Sequence, residues 1–226
     1  MPIYSLGVLA SRATEIAGGR ADWGLSDASF YVNQAYFEVG TRIGFTALEA
    51  LATSSTTSGE NRIALPPDFH STIALTMYVG SSSTASSSNA TQTFPLRQRD
   101  ERWMDAQNLN GTADGSTSGI PEAYNQFSTW FELWPSPNSA YSLQLRYYAK
   151  PVTLVASTDT PNLDERWHAA VLYKTVELLE ASRNNLEGEA IARNRYLSYM
   201  VSTPTDAALK QRDRTGMTLR YVRKYN

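Results

Sequence analysis

Few residues in this sequence carry side chains suited to acid–base or metal chemistry, and their spacing spells no site. There are two histidines, His70 and His168. His70 follows a loop aromatic. His168 falls in the first turns of an apolar helix pattern, where a surface or hydrogen-bonded core role is the simpler reading. With no cysteine, neither a disulfide nor a thiolate metal site can form, and no HExxH or DxDxDG pattern supplies other ligands. Asp100, Glu101, Asp105, Glu122 and Glu132 would have to be gathered in space to act as general acid and base. Solvated charges explain them more simply. GxGxxG, GxxxxGK[ST] and GxSxG are all absent. No catalytic residue, metal ligand or cofactor is therefore expected. An enzyme such as a cell-wall hydrolase stays open as a third reading, and it would need a pocket with paired, perturbed carboxylates.

The chemistry that does stand out is charge at the C-terminal end. From Ala207 to Asn226 there are six basic residues, Lys210, Arg212, Arg214, Arg220, Arg223 and Lys224, and one acid, Asp213. Of the chain's 20 basic and 22 acidic residues this leaves 14 and 21 in residues 1–206, a net −7 against +5 for the tail. A body and tail of opposite sign favour contact between the tail and a neighbour. Leu219, Tyr221, Arg223 and Tyr225 alternate with Thr218, Arg220, Val222 and Lys224, so the segment can extend as a strand. It has no partner strand of its own, and such a segment can add to another chain's sheet edge. The candidate partner-binding residues are Arg212, Arg214, Leu219, Arg220, Tyr221, Val222, Arg223, Lys224 and Tyr225. Interleaved bases and aromatics also suit nucleic acid. A DNA-binding tail is the second reading, marked by a steep salt dependence.

These residues need a scaffold, and the pattern behind them predicts an α+β chain. Ser5–Gly19 reads as a helix with Leu6, Leu9, Ala13 and Ile16 on one face and Gly18-Gly19 at its end. A second helix, capped by Ser26 or Asp27, is expected to reach about Leu51, with Phe30, Phe37, Ala47 and Leu51 on its apolar side. Gly40 and Gly44 each cost about 1 kcal/mol against alanine inside a helix, which predicts close packing or a bend there. Leu163–Arg183 is a long helix with acids in its first turn and a broad apolar surface (Trp167, Val171, Leu172, Val176, Leu178 and Leu179), the mark of a central position. Asn184-Asn185 then connects it to an antiparallel helix ending near Ser202, with Leu186, Ala190, Leu197 and Val201 on one side.

Between the helices the period changes to two. After the Ser/Thr-rich loop Thr53–Gly59, Ile63 and Leu65 alternate with small or polar residues until Pro66-Pro67 stops the pairing. Thr72–Val79 and Thr91–Leu96 are expected to pair around a serine-rich tip, Gly80–Ala90, too polar to offset its own ordering entropy and so expected to be a mobile loop. A short helix with Trp103 and Met104 follows in Leu96–Leu109, and then a polar loop from Asn110 to Gly119. Gly119–Pro151 reads as a three-strand meander: Ala123–Phe127, Trp130–Trp134, a turn at Pro135-Ser136-Pro137-Asn138, and a strand burying Tyr141, Leu143, Leu145 and Tyr147. The fold expected is an α-helical bundle (Ser5–Leu51 and Leu163–Ser202) carrying a β-rich insertion (Asn61–Val155). It forms one domain over residues 1–206, with an extended basic C-terminal tail over 207–226. Hydrophobic residues at 42% and charged ones at 19% are ordinary globular values. No run of 18 apolar residues predicts a membrane span, and no secretory signal is expected at Met1–Ser5.

The order of pieces resembles the head-to-tail adaptor, or connector, proteins of tailed bacteriophages. The residues that carry it are Ile63-Ala64-Leu65-Pro66-Pro67-Asp68-Phe69, then Gly119-x-Pro121-x-x-Tyr124, Leu133-x-Pro135-x-Pro137 and a strand ending in Tyr147-Tyr148, set between two helix pairs and before a basic tail. The resemblance implies a structural virion protein at the neck between head and tail, made in the host cytoplasm. It also implies a twelve-membered ring beneath the portal, a C-terminal extension that docks on the portal, and a lower surface offered to the tail or nozzle. An acidic body suits the channel such a ring encloses, because few phosphate contacts leave DNA free to slide without specific binding.

Overall fold

A computed structural model of the chain describes residues 4–19, 25–42, 45–79, 92–110 and 118–202. In chain order the elements are α1 (Leu6–Ile16), α2 (Leu25–Arg42), a 3₁₀ turn (Thr46–Leu48), β1 (Glu49–Ser55), β2 (Arg62–Ala64), β3 (Phe69–Val79), β4 (Gln92–Pro95) and β5 (Arg97–Gln98). There follow α3 (Glu101–Asn110), β6 (Ser118–Gly119), β7 (Ala123–Gln126), β8 (Trp130–Trp134), β9 (Ser136–Pro137), β10 (Ser142–Ala149), α4 (Glu165–Ser182) and α5 (Leu186–Ser202). They fall into two compact units, a helical one from residues up to Leu48 and from Lys150 onward, and a β-rich one from Glu49 to Ala149.

The α+β class fits, but the expected α-helical bundle with a β-rich insertion does not. Among the described residues ten strands in three sheets stand beside five α-helices, and strand structure begins at Glu49, inside the stretch read as helix. Helix α2 stops at Arg42, and Glu49–Ser55 pairs along its whole length with β10, from Glu49 opposite Tyr148 to Ser55 opposite Ser142. Local helix propensity in Ala47-Leu48-Glu49-Ala50-Leu51 gives way to that ladder, because tertiary pairing outweighs a few tenths of a kcal/mol per residue.

In the helical unit, α4 packs against α1, α2 and α5. Asp164 caps it by accepting the Arg166 amide at 3.1 Å, and Trp167, Val171, Leu172, Val176 and Leu179 are buried as predicted. Trp167 meets Phe45 edge to face at 5.1 Å. Leu6, Leu9 and Ala13 of α1 join this core, together with Val32, Ala35, Tyr36 and Val39 of α2. Gly40 is closely packed as expected, against a proline: a Cβ there would lie 2.5 Å from Pro151 Cγ, while Gly44 lies outside the described residues. Gly18 and Gly19, with φ of +100° and +59°, end α1 in the left-handed region that glycine adopts without strain.

In the β unit, one sheet runs β1-β10-β3-β4, a second runs β2-β8-β7-β5, and β6 pairs with β9. Leu75, Met77, Leu143, Leu145 and Tyr147 of the first sheet share a core with Tyr124, Phe131 and Leu133 of the second. The predicted β3–β4 and β7–β8 hairpins form, and the alternation that buries Tyr141, Leu143, Leu145 and Tyr147 holds. The three-strand meander does not. Strand β8 lies between β2 and β7, whereas β10 lies between β1 and β3 in the other sheet. Ser136–Pro137 pairs with Ser118–Gly119 instead of forming a simple turn. Buried Thr56 then fixes where β10 enters: its hydroxyl donates to the Ser139 carbonyl at 2.9 Å and accepts the Tyr141 amide at 2.8 Å.

Candidate assembly surfaces

The motifs that carried the resemblance are brought together in the β core rather than at a reactive site. The Tyr147 hydroxyl donates to Asp68 at 2.9 Å, and Phe69 stacks on the Tyr147 ring at 5.8 Å. Burial, followed by the neighbouring Asp68 carboxylate, pushes the Tyr147 hydroxyl up to about 12. Gly119 lets the chain pass Pro135, whose Cγ would lie 3.2 Å from an added Cβ, and Tyr124 packs edge to face on Phe131 at 5.1 Å.

The residues considered for chemistry are dispersed. His168 is buried, its Nε2 3.2 Å from the Leu163 carbonyl. Asp100 accepts the Trp103 amide at 3.1 Å in the first turn of α3, and Glu132 accepts from Asn61 at 3.1 Å. Glu101, Asp105 and Glu122 are exposed. Among the described residues no group of three or more histidines and carboxylates could hold a metal ion, and no helix is long and apolar enough to cross a membrane. The nine tail candidates, Arg212, Arg214, Leu219, Arg220, Tyr221, Val222, Arg223, Lys224 and Tyr225, lie outside the described residues, as does the serine-rich tip Gly80–Ala90.

What the helical unit does present is apolar surface in the wrong place for a self-contained fold. Leu186, Ala190, Leu197 and Val201, the residues expected to hold α5 to its neighbours, face outward: Leu186 is 76% exposed, Leu197 42% and Val201 85%. The inward face is made instead by Ala192 and Tyr196, with Tyr199 and Met200 partly covered. It is held by charge as well. Glu177 of α4, itself buried, accepts from Arg193 at 3.0 Å and from Lys174 at 3.3 Å; Lys174 also reaches Glu38 of α2 at 3.0 Å. The Glu177 carboxylate raises the Arg193 pKa. Arg42 of α2 donates to the Tyr196 hydroxyl at 2.9 Å. These bonds hold Tyr196 inward and tether the half-exposed Arg193 across to α4, and the aliphatic row farther around the helix is left outside.

A second row lies on α2. Phe30 and Phe37 were read as its buried side, yet they are 65% and 47% exposed; Ala28, Val32, Ala35, Tyr36 and Val39 take the inner face. Phe30, Gln34, Phe37 and Thr41 repeat at helical spacing, a row of about three turns without a charge. Scattered exposed apolar residues need no explanation, whereas rows of them on one helix face mark contact surfaces. The sequence did hold the signal for α5, since it offers two apolar faces at helical spacing and one neighbouring helix covers only one.

A family model described as SU10 adaptor protein matches residues 5–223. The chain belongs to the SU10 adaptor protein family. The resemblance to phage head-to-tail adaptors is thereby borne out over nearly the whole length. This SU10-family adaptor is a phage structural protein, and its family implies assembly with other phage structural proteins. Comparison with curated proteins gives no match.

Proposed function

We propose that this adaptor closes head to tail into a ring under the portal, links the portal to the tail or nozzle, and leaves a channel for DNA. The observation that carries this reading is the pair of unlike apolar rows on one helical unit. A surface that pairs with its own copy produces a closed dimer, whereas two different complementary surfaces generate a ring when the rotation closes. The aromatic row of α2 on one subunit is matched to the aliphatic row of α5 on the next. The α2 row is charge-free over about 17 Å at 1.5 Å per residue, and the α5 row runs about 23 Å with the half-exposed Arg193 at its edge. Twelve copies is the number the adaptor resemblance implies.

The basic tail is the portal-facing part of this proposal. Its +5 charge against the −7 body supports attraction to a partner, and its alternating pattern supports strand addition. Deleting residues 207–226 is expected to leave a folded protein that no longer co-sediments with portal rings. Undiminished co-sedimentation would reject the tail as the docking element. The competing reading, a DNA-binding tail, is favoured only by the interleaved Arg220-Tyr221-Val222-Arg223-Lys224-Tyr225. It predicts a duplex gel shift with a steep salt slope that the same deletion removes.

A further inference from the structure

The β unit carries a built groove that the ring reading does not use. Arg97 and Arg99 lie two residues apart at the edge strand β5. Their amides donate to the Glu122 and Tyr124 carbonyls of the β7 side at 3.0 and 2.8 Å. A period of two puts both side chains on one face of the strand. On that face they line a groove of about 480 Å³ with Phe94, Trp103, Ile120 and Trp134. Trp103 of α3 and Trp134 of β8 meet edge to face at 5.2 Å, and the Arg99 guanidinium lies 5.1 Å from the centre of the Trp103 ring. Both arginines are exposed, and neither makes an ion pair with a described residue. Glu122 is the one carboxylate in the lining.

Arginine choice is telling here. Residues 49–149 hold nine acids, five arginines and no lysine, and Arg97, Arg99 and Arg102 cluster on six consecutive positions. Guanidinium groups bind carboxylates in planar, two-point fashion and stack on aromatic rings, which an ammonium does not. The groove therefore combines a carboxylate-reading rim with a wall of indole and aliphatic surface, within the volume range of ligand sites. A polyphosphate backbone needs a track of cations, and two arginines on a unit with an excess of acid do not provide one.

We propose that this groove docks an extended acidic segment of a partner protein, one in which an Asp or Glu stands next to an aromatic or large aliphatic residue. The carboxylate is bridged by Arg97 and Arg99, and the neighbouring side chain lies against Trp103 and Trp134. The proposal does not depend on the ring, since it concerns the other unit and can fail or hold without it.

The test is selection of random seven-residue peptides displayed on the full-length protein, in parallel with an Arg97→Gln/Arg99→Gln variant. Both side chains are exposed, so the variant keeps the wild-type melting profile. Expected is enrichment of Asp or Glu beside Phe, Trp, Tyr or Leu on the wild-type protein. The peptide recovered most often should bind about tenfold to a hundredfold more weakly to the variant, the worth of charge-assisted hydrogen bonds. Absence of enrichment, enrichment without an acidic position, or peptides that bind both proteins equally would each overturn the proposal. A 12-nucleotide oligothymidylate is run as the other arm; tight binding of it that the variant loses would overturn the peptide reading in favour of nucleic acid.

Discussion

Mutual blocking of the two helix rows gives the sharpest test of head-to-tail assembly. Fully burying a Leu or Val contributes about 1.5–3 kcal/mol. With Leu186 76% and Val201 85% exposed, most of that contribution is still available to an interface. Replacing both by glutamate removes it and adds the desolvation of two carboxylates against an aromatic row. The expected loss exceeds about 4 kcal/mol per interface, roughly a thousandfold in affinity. Folding should change by only about 1 kcal/mol: Leu186 is the first residue of α5, where the helix dipole favours an acid, while at Val201 in the last turn the dipole disfavours one and the better helix propensity of glutamate partly offsets this. The complementary variant, Phe30→Glu/Phe37→Glu, blocks the α2 row, and the half-covered Phe37 should cost it about 1 kcal/mol of stability, roughly 2–4 °C. In sedimentation velocity over rising concentration, the wild-type protein should pass beyond the dimer, each variant alone should stay monomeric, and an equal mixture should stop at the dimer, since each blocked copy retains one working surface. A mixture that remains monomeric, or a variant that still builds wild-type assemblies, would refute the reasoning. So would a wild-type protein that stops at a symmetric dimer.

Two further predictions concern the fold. Gly40→Ala should gain about 1 kcal/mol of helix propensity but lose about 1–3 kcal/mol by forcing the chain away from Pro151, where the added Cβ would sit 2.5 Å from Cγ. A lower midpoint in thermal unfolding is expected, and a higher one would show that the segment beginning at Lys150 yields without cost. Asp159 accepts the Val155 and Ala156 amides at 2.8 Å each, and these bonds hold its pKa below the ordinary aspartate value. The same residue's carbonyl takes the Leu6 amide at 2.7 Å, which ties the start of α1 to this loop. A depressed carboxylate stabilises the fold above its unfolded pKa and loses that contribution as pH falls through the folded value. The melting temperature of the wild-type protein should thus decline below the ordinary aspartate range of about 4. Asp159→Asn should melt lower at neutral pH and show a shallower acid decline; parallel curves for the two proteins would contradict the linkage.

Elements whose pattern is set by one neighbour were legible in the sequence, and those set by competition between neighbours were not. Strand β10 alternates strictly because both its faces have fixed roles, and α4 shows its central place through apolar residues spread around the helix. The alternation says which residues go inside but not which strands flank them, so Pro135 to Asn138 was read as a hairpin turn. Thr56, some eighty positions away in sequence, bonds Ser139 and Tyr141 where the chain enters β10, which then pairs along its length with β1 and β3. Likewise nothing local to Ala47–Leu51 reveals that β10 will draw the stretch from Glu49 into a sheet.

The misread face of α5 has the same origin and leads to function. Helix α4 brings to α5 a buried carboxylate, Glu177, that accepts from Arg193, and Arg42 of α2 donates to Tyr196; together these bonds favour Tyr196 over Leu186 and Val201 for the inner face. Glu177 is buried although Arg193 is 54% exposed, and a buried carboxylate that loses a cationic partner is costly. The aliphatic row is therefore excluded from its own fold by an electrostatic choice. A helix kept apolar on its outer side under that constraint is consistent with a partner that arrives after folding. In the proposed ring, another copy of the chain brings the aromatic row of its α2 to that surface. If so, the charges at Glu177 and Arg193 matter to assembly without touching the interface. Glu177→Leu should let α5 rotate its aliphatic row inward and weaken association while the protein stays folded. Sedimentation of that variant unchanged from wild type would separate the charge network from assembly.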